Sequence, residues 1–563
     1  MQSILQYRRF GRHVQKQYER DQGKAQALHV KDDGAESSSS SSASNDRDIE
    51  KSASDKPTHL RNAEEDVPTA SEQLPPLTPK VTTGTALGTT LTGISVRDRT
   101  KSKGEGDSDT RVFVVGYEGP DDVLNPHNWS KVTRIGATVN IAFIGWIVGF
   151  ASSVDSAALK QASAEFGVSE VTESLATGLF LIGFGVGALF AGPVSETVGR
   201  NPVYIATLTL YMIFIMASGL APNIGSQFVF RFIAGLFGAT PLTCAGGSIS
   251  DLWDPLERVY AFPVFANAAG LVSWRWTEWV TLIISGLVLA LVILFQPETY
   301  APVLLAWKSK KLRELTGDER FKAEIEIRDE SFATRLGHSL YRPFVLTFTE
   351  PIIVSIALYL TVIYIILFTF LNGYTFIFTE TYGFSEGITG LSFIGIGIGL
   401  CLASCLVPVM YIWAKRALAK AEAQGGSRLP PEFRLWFAML GAPAIPISLL
   451  WMGWTTYPSI SYWSPLAASV LFGYGILCVF ISSYQYLIDG YEKYAASALA
   501  SVTLIRYVAA GGMVEVAIPF YKNLGVHWTL TILACLSALL VPVPYLFYLY
   551  GPKIRKRSKH AVA

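Results

Sequence analysis

Apolar residues fall along this chain in long unbroken blocks. They show neither the alternation of a half-buried strand nor the one-sided stripe of a soluble helix. The blocks centre on residues 134–154, 173–194, 202–221, 227–250, 276–296, 350–372, 386–413, 434–455, 462–487, 497–520 and 526–550. A bilayer core of about 30 Å takes about 20 apolar residues as a helix. Each block is long enough to cross, so eleven spans are expected. A twelfth candidate, Val259–Val272, has 14 residues and would rise only about 21 Å.

The rest of the chain is polar and divides it. Residues 1–110 carry a run from Ser37 to Ser42 and many Asp, Glu, Lys, Thr and Pro. They offer too little apolar surface to offset ordering entropy, so a disordered tail is expected, followed by a pre-membrane segment at 111–133. The charged stretch 301–349 separates an N-terminal membrane half (134–300) from a C-terminal half (350–550), and a basic tail closes the chain at 551–563. Transporters built from repeats follow this plan, with the substrate site between the halves near mid-membrane.

Charge in the connections sets the orientation. Arg200, Arg258, the cluster Lys308, Lys310, Lys311 and Arg313, the cluster Lys415, Arg416, Lys420 and Arg428, Lys493, and the C-terminal basic run occupy alternate connections. Both termini and the central loop are thereby expected in the cytoplasm. The alternation keeps register only if Val259–Val272 also crosses, so charge argues for twelve spans where length argues against. Trp274, Trp276 and Trp279 suit an outer interface, with Arg275 and Glu278 in water. The short segment is then a truncated or re-entrant fifth helix, or the transcript lacks about 15–20 residues between Ala269 and Ser273.

Composition agrees with a membrane protein. Of 563 residues, 50% are hydrophobic and 16% charged, against about 25% charged in soluble domains. A formal net charge of +1 gives no ground for nucleic-acid binding. Residues 1–30 have no apolar core of a signal peptide, so the first span is expected to direct insertion. Cys244, Cys401, Cys405, Cys478 and Cys535 all lie in apolar runs, which points away from a disulfide frame or a metal site. No phosphate-binding loop or nucleophile elbow occurs. Neither a cofactor nor enzymatic activity is expected, nor an ATP-driven pump.

One connection is chemically distinctive. Gly187-Ala-Leu-Phe-Ala-Gly192-Pro-Val-Ser-Glu196-Thr-Val-Gly199-Arg200-Asn201 places glycines where helix ends approach, and Glu196 and Arg200 where a charge pair or a helix-end contact would form. This segment resembles the signature loop of the major facilitator superfamily. Further stretches resemble its fungal twelve-span drug:proton antiporters: Asn125-Pro-His-Asn-Trp129-Ser130, Arg231-Phe-Ile-Ala-Gly235, Ser273-Trp-Arg-Trp-Thr-Glu278-Trp, Pro297-Glu298-Thr299 and Asp489-Gly-Tyr-Glu-Lys-Tyr-Ala-Ala-Ser497. Gly149-Phe-Ala-Ser-Ser-Val-Asp155 and Leu504-Ile-Arg506-Tyr-Val-Ala-Ala-Gly-Gly-Met-Val-Glu515 are similar to cercosporin-type exporters of fungal polyketide toxins. The Gly-Pro-rich stretch that the group carries before Ser-Trp-Arg-Trp is absent here.

The resemblance implies an all-α integral membrane protein with the major facilitator fold and two six-helix halves. It implies a monomer in the lipid bilayer of the cell membrane that exchanges a small organic molecule for protons by alternating access. Charges inside the membrane are costly and point to function. Asp155 fits a proton site or a solvated helix end. Arg231 fits a cavity group that orients substrate or a snorkelling anchor. Arg506 joins them in span eleven, and Glu350 begins span seven. Glu515, among Val514, Val516, Ala517 and Ile518, fits a proton carrier or the partner of a basic side chain. Phe368, Phe370, Tyr374, Phe376, Tyr484 and Tyr486 would stack on flat ligands if they line a cavity. Three alternatives stay open: a polyamine exporter, a general multidrug exporter, and a transport-inactive receptor on the same fold.

Overall fold

The apolar blocks fold as helices, because in lipid only a helix or a closed barrel satisfies every backbone N–H and C=O. The structure is a computed structural model. It describes residues 2–36, 94–98, 111–119, 121–153, 159–252, 274–327, 332–423, 429–491, 494–556, 558 and 560–561. Asp155, Arg258 and the segment Val259–Val272 lie outside the described residues.

Among the described residues, nine helical segments are long and apolar enough to cross a membrane. One of them, Ala495–Arg555, has 61 residues and as a straight helix would reach about 90 Å. It breaks at Gly525, where φ is 75°, and so supplies two passes. With that break and with the 29-residue helix Ile224–Leu252, the described passes number eleven and fall on the eleven apolar blocks.

The chain divides into two compact units, one of residues 1–8, 121–304 and 328–563, the other of 9–120 and 305–327. Within 1–110, where a disordered tail is expected, the described residues 2–36 and 94–98 form regular structure. Helix α1 spans Gln2–Glu36. In its first part Phe10, Val14, Gln17 and Asp21 are buried, a spacing that keeps them on one helical face, and Phe10 packs edge-on against Trp307. Strand β1 (Ile94–Asp98) pairs antiparallel with β2 (Arg111–Val115), which pairs in parallel with β3 (Phe321–Ala323). The pre-membrane segment and the central loop thus share one sheet, a small exception to the helical elements that dominate the described residues. Helix α7 (Ala301–Thr316) leads into it.

In the larger unit, the N-terminal half is α2 (Lys131–Ser153), α3 (Glu170–Val198), α4 (Arg200–Gly219), α5 (Ile224–Leu252) and α6 (Trp274–Phe295). The C-terminal half is α8 (Pro351–Tyr374, running on as a π-helical turn to Thr381), α9 (Ile394–Cys405), α10 (Val407–Ala423), α11 (Ala444–Thr455), α12 (Trp463–Tyr491), α13 (Ala495–Leu540) and α14 (Pro542–Arg555).

Without a hydrophobic drive between helices in lipid, small residues let backbones approach. The two halves use the same device. In α3 a Cβ on Gly183 or Gly187 would stand 2.1 or 2.0 Å from the carbonyl oxygens of Phe232 and Leu236 in α5. In α9 a Cβ on Gly395 or Gly399 would stand 2.0 Å from Ser469 Oγ or the Val470 carbonyl oxygen in α12. The second and fourth helices of one half therefore pack as their counterparts do in the other. Between the halves, α3 and α13 meet at Gly178 and Gly511, where a Cβ on either would lie 2.7 or 2.6 Å from the other's carbonyl oxygen.

Candidate functional site

Charged groups gather at three depths along the bundle. The first is the end of α3 and the start of α4. Gly199 joins them with φ 105° and ψ 162°, a backbone region that essentially only glycine occupies. A Cβ there would also meet Glu298 Oε2 at 2.6 Å. The freed space admits the Glu298 carboxylate. It accepts from the backbone N–H of Arg200 (3.0 Å), Asn201 (3.1 Å), Thr299 (3.0 Å) and Tyr300 (2.9 Å). A carboxylate at a helix N-terminus meets orphan donors and the positive end of the helix dipole at once. Gln6 adds a reciprocal pair with the Glu298 backbone.

The Arg200 side chain turns to Asp251 at the end of α5, Nε to Oδ2 3.2 Å, and donates to Ser195 Oγ at 2.5 Å. Its guanidinium lies 5.0 Å over the Tyr300 ring. The expected pair between Glu196 and Arg200 is corrected: Glu196 acts on Arg200 only at longer range, and Asp251 is the ion-pair partner. The reason is position, since Asp251 ends the helix that α3 packs on most closely. Gly187 makes the close approach expected of it, whereas Gly192 has open space at its Cβ position and offers its carbonyl to Ser195 Oγ.

The C-terminal half repeats this arrangement. Arg434, before α11, pairs with Asp489 near the end of α12 at 2.6 Å. Glu432 and Arg555, at the end of α14, join through two hydrogen bonds of 2.8 and 2.9 Å. Glu350, just ahead of α8, is fully buried and accepts from Tyr491 Oη (3.1 Å), His560 Nδ1 (2.8 Å) and the Ser558 hydroxyl.

The second depth lies toward the other end of the N-terminal half. Arg231 is fully buried and pairs with Glu278 of α6. It also donates to the Ala151 carbonyl of α2 at 3.1 Å and lies 5.8 Å over the Phe180 ring of α3. Glu278 accepts from Ser218 Oγ of α4 at 3.1 Å. Arg231, directly and through Glu278, therefore ties the five described membrane-crossing helices of its half and does not snorkel. Glu278, expected in water, is 2% exposed, because the Arg231 charge draws it inward. Beside them Gln227 donates to Glu173 at 2.9 Å.

The third depth lies within the first pass of α13, between Ala495 and its break at Gly525. Arg506 is fully buried, with its guanidinium carbon 4.4 Å from the Tyr364 ring, 4.8 Å from Phe480, and 5.0 Å from Tyr484 and Tyr507. Tyr507 in turn packs against Phe184 of α3 with ring centroids 4.4 Å apart and the planes tilted by 34°, across the divide between the halves. Arg506 and Glu515 do not meet: nine residues separate them by about 13.5 Å and half a turn of phase. Glu515 instead faces α3, its Oε1 3.6 Å from the Cβ position of Gly178, half-buried and with no hydrogen bond to that oxygen.

Of the six aromatic residues singled out in the sequence, only Tyr484 reaches Arg506. Phe368 packs on Tyr364, and Phe370, Tyr374, Phe376 and Tyr486 pack within the C-terminal half, on Phe472, Phe393, Tyr521 and Phe547. Tyr364 and Phe480 carry no signal that would tie them to Arg506. Asp251, Asp489 and Glu432 carry one in hindsight, since each lies at a helix end in a repeat-related position.

Comparison with known proteins gives a consistent picture. The family model described as Major Facilitator Superfamily matches residues 141–513. The chain is 56% identical over 505 residues to the MFS-type transporter kojT of Aspergillus flavus and Aspergillus oryzae, covering 86% of this chain and 89% of that one. It is 35% identical over 458 residues to the MFS-type efflux pump MFS2 of Trichophyton rubrum, covering 78% of this chain and 76% of the other. Among solved structures, the human organic anion transporter MFSD10 superposes with a TM-score of 0.51 at 14% identity, over 74% of this chain and 100% of that one, a likeness of fold alone.

Proposed function

The chain belongs to the Major Facilitator Superfamily, and from that premise we propose that it exports small organic molecules, of the secondary-metabolite or toxin type, in exchange for protons. It is a multi-pass membrane transporter and not an enzyme. The direction, the coupling ion and the substrate are our reading. Efflux is supported by the relative in Trichophyton rubrum, which is named an efflux pump.

Proton coupling rests on one observation. Glu515 is a half-buried carboxyl on the seam between α3 and α13, where the halves meet, and its Oε1 makes no hydrogen bond. A carboxyl there gains or loses a proton most easily when the halves separate, because separation changes its access to water. Rocking of the two halves about Gly178 and Gly511 would then couple protonation to access. Arg200, with Asp251 and Glu298, and its repeat-related counterparts would latch the cytoplasmic end. Both termini and the central loop lie in the cytoplasm in this reading, and the protein sits in the cell membrane as a monomer. Asp155 is kept as a further proton-site candidate from its sequence position.

The test is transport by purified protein in vesicles under an imposed pH gradient. Glu515→Gln should abolish gradient-driven accumulation while substrate binding persists. An unchanged pH dependence in the variant would assign Glu515 a structural role.

A further inference from the structure

We infer that Arg506 receives the anionic group of a flat, conjugated acid, a carboxylate or phenolate, so that the transported molecules carry negative rather than positive charge. The inference rests on the transport reading above and narrows its substrate class. It excludes the polyamine alternative.

Five arginines are buried among the described residues: Arg134, Arg200, Arg231, Arg506 and Arg555. Arg134 donates to the carbonyls of His127 and Leu252. Arg200 has Asp251 and Ser195, Arg231 has Glu278 and Ala151, and Arg555 has Glu432. Arg506 alone has neither a carboxylate nor a carbonyl. None of Nε, Nη1 and Nη2 finds a hydrogen-bond partner. The hydroxyls of Tyr484 and Tyr507 reach the guanidinium only at the edge of hydrogen-bond range, and that of Tyr364 feels its charge, but none meets hydrogen-bond distance and angle in full and none carries the opposite charge. A buried guanidinium with all its donors unmet is costly unless something completes it.

The four rings around it determine what that something is. Ring faces are electron-rich and attract cations. Here they are already turned to a permanent cation, so the cage is occupied on its attractive side and a second cation would be repelled. An anion meets the opposite situation. Its oxygens would take the forked donors in a bidentate pair, the strongest complement a guanidinium has. Its conjugated frame would lie against the rings that now enclose the charge.

Position supports the same assignment. Arg506 is 11 residues along α13 from Ala495, about 17 Å of rise along a pass that has to cover about 30 Å of hydrocarbon. That is the depth expected for a substrate site in a transporter built from two halves. One wall of the cage, Tyr507, rests on Phe184 of the other half. Separation of the halves would open the cage on that side.

The charge of the cargo also sets the electrical sign of transport. Moving an anion outward and a proton inward both carry positive charge inward. An inside-negative potential would therefore accelerate export of an acid. It would oppose outward movement of a cation, and a one-for-one exchange of a monovalent cation with a proton would be electrically silent.

The experiment uses two probes on one xanthene frame, anionic carboxyfluorescein and cationic rhodamine 6G, with purified full-length protein. Fluorescence anisotropy should show carboxyfluorescein binding that weakens at least tenfold in Arg506→Gln. Arg506→Lys should weaken it less, since the charge remains and only the fork is lost. The thermal midpoint of Arg506→Gln should be no lower than that of the unaltered protein, because an unpaired buried charge has been removed; a purely structural arginine would give a marked fall. In vesicles, a potassium diffusion potential, negative on the loaded side, should speed carboxyfluorescein exit. Preference for rhodamine 6G, or binding indifferent to Arg506 in folded protein, overturns the inference. If other probes are moved without regard to charge, transport stands and this inference falls. If carboxyfluorescein binds through Arg506 but no gradient moves any probe, the inference stands and the transport reading falls.

Discussion

Glu298 offers a quantitative test of the latch at the start of α4. Its Oε1 accepts from the N–H groups of Arg200, Thr299 and Tyr300, and its Oε2 from that of Asn201. In Glu298→Gln the amide oxygen can keep the first three, but the amide nitrogen then faces the Asn201 N–H, donor against donor. One charge-assisted bond is lost, about 1.5–3 kcal/mol. The remaining three become neutral and weaken. A total near 3–4 kcal/mol is expected on the order of these terms. Glu298→Ala orphans four donors and should cost more, toward the upper limit of about 5 kcal/mol for single substitutions. The assay is the rate of thermal inactivation of purified protein in detergent, because large membrane proteins rarely unfold reversibly. Glu380→Gln is the control, since its pair with Lys160 is about half exposed on both sides and such pairs contribute little. If Glu298→Gln inactivates no faster than Glu380→Gln, the four-donor account of the latch is wrong.

Three further outcomes follow from the geometry. Arg231→Met or Glu278→Met alone leaves a buried charge without its main partner and should destabilise by about 3–5 kcal/mol; the double substitution should recover most of that, and equal damage in all three variants would refute the pairing. Gly178→Val places branched atoms against the Gly511 carbonyl, so the halves should lose their close contact. Cysteine-accessibility labelling along α13 should then show a shifted balance of open states, and an unchanged pattern would deny the seam its role. In the smaller unit, burial alone would raise the Glu326 carboxyl, but hydrogen bonds from Arg313, Ser309 and the Ala323 N–H hold it below the ordinary carboxylate range. A lowered carboxyl contributes stability at neutral pH that is lost as pH falls through its folded value. Exchange protection of residues 305–327, corrected for intrinsic rates, should fall on acidification toward that of Glu326→Gln at neutral pH; a flat profile would refute it.

The eleven passes could be read from the sequence because lipid imposes a local rule: a segment either holds about 20 apolar residues or does not cross. The division into halves followed from the same rule, as 301–349 breaks it. The cost of burying charge likewise marked Arg231, Arg506 and Glu515 as special before any contact was known. Residues 2–36 depart from the expected tail because averaging hides a short ordered segment. Across 110 residues the polar composition dominated, and the stripe of Phe10, Val14, Gln17 and Asp21 that orders α1 was diluted.

Partnership was a different matter. Arg200 pairs across 51 residues with Asp251, and its backbone N–H across 98 with Glu298, while Glu196, four residues away in sequence, is not its partner. Glu278 was placed in water by its neighbours in sequence and in the core by Arg231. Nothing local connects Tyr364 and Phe480 to Arg506, which they enclose. A side chain's hydropathy and its cost in lipid belong to the residue and its immediate neighbours, so the sequence by itself determined which segments cross and which charges are exceptional. Which groups meet depends on how helices cross and on which glycines let them approach, and only the tertiary structure decided that.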